Sequence, residues 1–165
     1  MKWGERTEYN DVSRFCRLLK KELEGHSVNS VLTEGRPSGG YLKDDIILCF
    51  HRFSNMKNSE KRGASVTVPE NSDSGVQYIA FRLLTSLCTD VGFRYGGVHT
   101  NTSRSPYKSL DMTGSPLTFL INLGFIDSFT DNSVLDTGSE ELTKEFSRTL
   151  KEIIKERKNE AYPTI

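Results

Sequence analysis

The sequence is short of most features that would place it quickly. It has no uncharged apolar run long enough to cross a bilayer, so a membrane span is not expected. It has no net charge, 22 Lys and Arg standing against 22 Asp and Glu, so no global field draws nucleic acid or a membrane surface. The opening "MKWGERTEYN" lacks the apolar core of a secretory signal, which makes the cytoplasm the expected location. There is no Gly-rich phosphate motif of the P-loop or dinucleotide type, no internal repeat and no low-complexity tract. Cysteine is scarce. Cys16, Cys49 and Cys88 are odd in number and widely spaced, which fits small buried hydrophobes in a reducing compartment ahead of a reactive thiol, and a disulfide framework least of all.

What remains is an ordinary folding chain. Its 165 residues, 35% hydrophobic and 27% charged, suit one compact domain rather than a disordered segment. Val12, Phe15, Cys16, Leu18, Leu19 and Leu23 recur with helical period, predicting a helix over 8–24 that Gly25 stops. A short strand is expected at 28–32, then a Gly- and Pro-bearing loop, "EGRPSGGYLKDD". "IILCF", 46–50, reads as a strand buried on both faces. A polar loop follows, then a strand at 64–68. A second helix is expected over 76–89, capped by Ser72 or Asp73. "YGGVHTNTSRSPY" reads as a glycine-rich turn. A strand at 117–121 leads to a tight turn at Gly124 and a polar loop. A last helix over 140–158 carries Leu142, Phe146, Leu150, Ile153 and Ile154 on one face. Alternation of strands and helices predicts an α/β three-layer sandwich: a mainly parallel sheet with helices on both faces, one domain over 1–158 and a loosely held tail over 159–165. In such folds ligands bind beyond the carboxyl ends of the strands.

Several stretches together resemble the zinc-dependent N-acetylmuramoyl-L-alanine amidases, the cell-wall hydrolases and phage endolysins that cut peptidoglycan between sugar and stem peptide. "SPLTFLINLGFIDSFTDNSVL" is similar to their C-terminal strand and loop, where the pattern is an apolar strand, Glu-Leu-Gly-Phe-Ile and a polar loop with Asp-Asn. "DDIILCFHRFSN" resembles their strand ending in a zinc-ligating histidine. "ERTEYNDVSRFCRLLKKELE" resembles the helix that opens with a zinc-ligating glutamate, and "SGVQYIAFRLLTSLCTDVG" the helix between these motifs. The likeness covers nearly the whole chain in the same order.

Carried over residue by residue, the resemblance implies a degenerate member. Glu8 and His51 match two zinc ligands. The family's first histidine ligand, on a Gly-His-Gly turn, has no counterpart, since no Gly-His pair precedes Glu8. His26 and His99 are the other histidines, and neither matches that motif. A catalytic zinc needs three protein ligands and an open position for water, so the two-ligand site reads as vestigial; no cofactor is expected, zinc being the one the family would bring. Asn122 replaces the catalytic glutamate, and Phe53 stands where the family has an asparagine. A carboxamide bonds but shuttles no proton, so no catalytic residue is assigned. Each residue also has a plainer account: Glu8 as a first-turn helix acid, His51 as a strand-end hydrogen bonder, Asn122 as a turn residue.

The loops expected around the cleft are locally basic. A ligand-binding set of Arg36, His51, Arg52, Asn55, His99, Arg104, Lys108 and Asn122 suits a small anion, such as a nucleotide or a cell-wall fragment. The expected function is therefore an amidase-like pseudo-enzyme that binds or sequesters such a ligand. Two alternatives stay open: an active amidase, with Asp111 or Asp127 substituting for the glutamate, and a protein-interaction module such as a phage-encoded inhibitor. The strand that carries the family's first motif lies inside its sheet. Without it, either the remaining strands close the gap or an exposed edge pairs with another copy, and a homodimer is the favoured expectation.

Overall fold

The computed structural model describes residues 2–3, 6–24, 28–35, 40–54, 61–102, 111 and 113–161. Strands β1 (Lys2–Trp3) and β2 (Arg6–Thr7) form a small antiparallel pair ahead of helix α1 (Glu8–Glu24). Then come β3 (Ile47–Phe53), β4 (Ala64–Val68), α2 (Ser74–Ser86), β5 (Tyr95–Thr100), β6 (Thr118–Phe125) and α3 (Phe129–Ala161). The main sheet runs β3-β6-β4-β5; the β3–β6 and β4–β5 ladders are parallel and the β4–β6 ladder is antiparallel. The result is a mixed, mainly parallel α/β sheet flanked by helices, as the alternation of elements predicts.

The helices start where local chemistry satisfies their free N–H groups. The Asn10 amide donates to Thr7 Oγ1 at the head of α1, whose first turn also carries Glu8 and Asp11. Asp73 caps α2 by accepting from the Val76 amide at 2.8 Å, one of the two caps expected. Ser128 Oγ accepts from the Asp131 amide at the start of α3. Phe15, Leu19 and Leu23 recur at intervals of four and sink one stripe of α1 into the core. They meet Phe119, Ile121 and Leu123 of β6, and Leu142, Phe146, Leu150 and Ile153 of α3. Phe15, Phe50 and Phe146 form a ring cluster with centroids 5.4 to 6.4 Å apart, locking α1, β3 and α3 together. Such pairs contribute about 0.5–1.5 kcal/mol beyond their buried area.

Five local expectations are corrected. Segment 28–32 is not a strand; it runs without regular structure. The "IILCF" strand extends to Phe53 and, among the described residues, lies at the sheet edge; Leu48, Cys49 and Phe50 are only half-buried rather than enclosed on both faces. The glycine-rich stretch opens as strand β5, because Gly96 lies so close to Ala64 O of β4 that a Cβ there would sit 2.5 Å away. Gly124 is not a turn beyond the strand. It sits inside β6 with φ at 74°, and the strand continues to Phe125. The polar run after it is not a loop but the first turns of α3, which begins eleven residues before the predicted start and continues through Gly138. That helix also takes in part of the expected tail; residues 162–165 lie outside the described residues.

Candidate functional site

Glu8, His51 and Asn122 come together at the C-terminal end of β3 and β6. Glu8 is there because it opens α1, and α1 is held over β3 by the phenylalanine cluster. His51 and Asn122 are directly paired in the β3–β6 register. His51 Nδ1 lies 3.9 Å from Glu8 Oε1, beyond hydrogen-bond distance. Phe53 stacks edge-on against the imidazole at 4.3 Å. Burial lowers the His51 pKa to about 4, and the Glu8 charge opposes the shift only in part, so the ring is neutral at pH 7.

Asn122 is 2% exposed. Its Oδ1 accepts from the Phe53 amide at 3.1 Å, and its Nδ2 donates to Gly63 O at 3.4 Å. Both ends of the carboxamide bind backbone. The amide thereby bridges the β3 bulge between His51 and Phe53 to the start of β4. Asn122, expected as a ligand-binding residue, is thus held between two backbone partners.

Arg52, also expected at the ligand site, is likewise held inside the protein. It is 1% exposed and points inward. Its guanidinium bonds Asp11 on α1, Leu123 O at 3.1 Å and Phe125 O at 2.8 Å. Its backbone amide donates to Glu8 Oε1 at 3.1 Å, which fixes the glutamate. A guanidinium committed to three internal acceptors is not presented to a ligand.

Of the other expected residues that the structure describes, His99 and Asp111 lie apart from this group. His99 is exposed on β5, with β4 and β6 between it and β3, and its ring reaches Gly96 O at 3.2 Å. Asp111 accepts from the Glu70 amide and from Asn101, away from His51. Asp127 accepts from Ser54 Oγ, just past the end of β3. Arg36, Asn55, Arg104 and Lys108, with His26, lie outside the described residues.

The two matches to zinc ligands, Glu8 and His51, are adjacent. One carboxylate oxygen is shared with the Arg52 amide, and no cluster of three His, Cys, Asp or Glu suited to a metal occurs among the described residues.

Sequence reading missed Asp11 and Asp131. Asp131 Oδ1 and Oδ2 lie 3.1 and 2.9 Å from the Gly63 amide, and Oδ2 also accepts from the Phe125 amide at 2.8 Å. Asn132 Nδ2 donates to Ile126 O. The "DN" pair thus ties the end of β6 to the start of β4. The signal for it was the motif itself, which the resemblance singled out without a role.

No protein-family model and no curated protein matches this sequence. Solved structures do. An N-acetylmuramoyl-L-alanine amidase from Clostridium difficile 630 superposes with a TM-score of 0.74 at 14% identity, over 92% of this chain and 86% of that one. The catalytic domain of CwlV, an N-acetylmuramoyl-L-alanine amidase from Bacillus (Paenibacillus) polymyxa, gives 0.72 at 13%, over 92% and 87%. The catalytic domain of the CD27L endolysin, which targets Clostridia difficile, gives 0.64 at 20%, over 88% and 83%. The fold is that of the N-acetylmuramoyl-L-alanine amidases. Within that amidase fold, the present chain keeps a glutamate and a histidine side by side and places an internally bonded asparagine next to them.

Proposed function

We propose that this chain is a catalytically degenerate amidase-fold protein that binds a cell-wall fragment of the N-acetylmuramoyl-L-alanine type without cleaving it. The observation that carries the reading is Asn122. Amide hydrolysis needs a group that delivers a proton to the leaving nitrogen. The side chain at this position is a buried carboxamide held by Phe53 N and Gly63 O, with no titratable proton. The neutral His51 and the Glu8 carboxylate beside it remain as hydrogen-bonding groups at the strand ends, where α/β folds place ligands. The ligand class is drawn from the fold's solved members. The nucleotide alternative loses the support of Arg52, which is committed internally.

The test is calorimetric titration with N-acetylmuramoyl-L-alanyl-D-isoglutamine, paired with an assay for newly freed alanine amino groups with and without added zinc. Saturable binding without hydrolysis is expected. Zinc-dependent release of alanine amino groups would restore the enzyme reading, and absence of binding would remove the ligand.

A further inference from the structure

The Phe53 backbone is held from two directions by groups that meet at one carboxylate. Its amide donates to Asn122 Oδ1 at 3.1 Å, and Asn122 Nδ2 donates in turn to Gly63 O at 3.4 Å. On the other side, Phe53 O accepts from the Ile126 amide at 2.8 Å, and Phe125 is the register partner of Phe53. Asp131 anchors both routes. Its two oxygens accept from the Gly63 amide at 2.9 and 3.1 Å, and Oδ2 accepts from the Phe125 amide at 2.8 Å. Asp131 is 1% exposed, so these bonds are shielded from water. The charges of Arg52 and Arg62 favour its ionised form against the cost of burial.

We propose that Asp131 is a positioning residue for the Glu8–His51 end of the sheet, acting through Gly63 and Asn122 on the β3 bulge between His51 and Phe53. A bulge re-aims the side chains that flank it, and here those are the imidazole and the Phe53 ring packed edge-on against it. Asn122 serves the bulge in one orientation only, with Oδ1 toward the Phe53 amide and Nδ2 toward Gly63 O. Gly63 must therefore keep its place, and it has no side chain to hold it. Its φ of 104° and its approach to Arg94 O, which would lie 2.2 Å from a Cβ, require glycine at this position. The Asp131 carboxylate supplies the missing hold, because an ionised acceptor binds backbone N–H groups more strongly than a neutral one. Asp131 touches neither Glu8 nor His51 in this arrangement. It reaches them through three hydrogen bonds: Asp131 to Gly63, Gly63 to Asn122, and Asn122 to Phe53.

The experiment is amide hydrogen exchange on the whole chain. Asp131→Asn keeps the shape of the side chain beside Gly124 but sets an NH2 group against one of the two backbone donors. Leu23→Ala, a core truncation at the far end of α1 from Glu8, controls for lost stability alone. Exchange at the Phe53 amide should quicken by about tenfold or more in Asp131→Asn and stay near the unmodified rate in Leu23→Ala. Affinity for N-acetylmuramoyl-L-alanyl-D-isoglutamine should weaken in Asp131→Asn and not in the control. That binding arm rests on the function proposed above, whereas the exchange arm does not. If Asp131→Asn does not fold, the unmodified chain in low urea decides the matter. The Gly63, Phe125 and Phe53 amides should then exchange through one opening with a common urea dependence. An independent opening at Phe53, no quickening in Asp131→Asn, or equal quickening in both variants overturns the proposal. Quickened exchange with unchanged muropeptide affinity overturns it too. An unmodified chain that binds no muropeptide counts against the proposed function, and the exchange result then decides the role of Asp131 by itself.

Discussion

The Arg52 side chain on β3 and the Asp11 carboxylate on α1 form an ion pair in which the arginine is fully enclosed. Asp11 is also held by Arg6 Nε at 2.7 Å, and Arg6 reaches both oxygens of Asp136 on α3 at 2.9 Å. One network therefore joins α1, β3, β6 and α3 directly behind Glu8. Burial lowers the Arg52 pKa from its usual value, while the Asp11 bond and charge act against the shift and keep the guanidinium paired.

Arg52→Met is expected to destabilise the fold by about 3 kcal/mol or more, because it leaves two strand carbonyls without a donor and weakens the hold on Asp11. Arg52→Lys should recover only part of this loss, since an ammonium cannot span the three acceptors. Urea denaturation of both variants measures it. A loss under about 1 kcal/mol for the methionine variant would mean that the pair does not hold the helix to the sheet.

Asn122→Ala should cost about 1–3 kcal/mol by leaving the Phe53 amide unpaired in a closed environment. Asn122→Glu should be destabilised as well and should still not release alanine amino groups, because the added carboxylate enters a site that is 2% exposed. Zinc-dependent activity in that variant would show that asparagine alone silenced the site.

His51 predicts a slope in stability with pH. Its folded pKa of about 4 lies below the ordinary value of 6.5, so the unfolded state binds more protons between those values. Stability should therefore fall as pH drops from 6.5 to 4, by up to about 3 kcal/mol, and His51 should add no further change below pH 4. His51→Gln should flatten this part of the profile, as read by calorimetric melting from pH 4 to 7. An unchanged slope would place the titrating group elsewhere.

Gly124→Ala should be strongly destabilising. The backbone there has φ at 74°, and a Cβ would lie 2.7 Å from Asp131 Oδ2. The substitution thus combines left-handed strain with displacement of the carboxylate that serves Gly63 and Phe125, for a cost of about 2–4 kcal/mol. Asp131→Ala should cost a similar amount by orphaning the same two amides. Additivity in the double variant would count against their acting through one contact.

Much of the architecture was legible in the chain. Helical spacing placed α1 on residues 8–24, because Phe15, Leu19 and Leu23 repeat within one stripe and Gly25 interrupts it. Asp73 was a readable cap because its side chain reaches an amide only three residues away. The start of α3 was not readable: "FTDNSVLDTGSE" is polar and holds a glycine, and its helical form depends on Asp131 and Asn132 being engaged by β4 and β6.

The site divides the same way. The sequence by itself determined that Glu8 opens a helix, that His51 ends an apolar run, and that Asn122 stands where the resemblance expects a glutamate. Those are facts of residue type and local period. Only the tertiary structure decided that His51 lies 3.9 Å from Glu8, that Arg52 turns inward, and that Asn122 bonds backbone on both sides. The reason is the bulge between His51 and Phe53. Strand alternation would set Arg52 on the face opposite His51, but no sequence period says whether that face ends in solvent or against Asp11. That depends on a helix more than forty residues earlier in the chain.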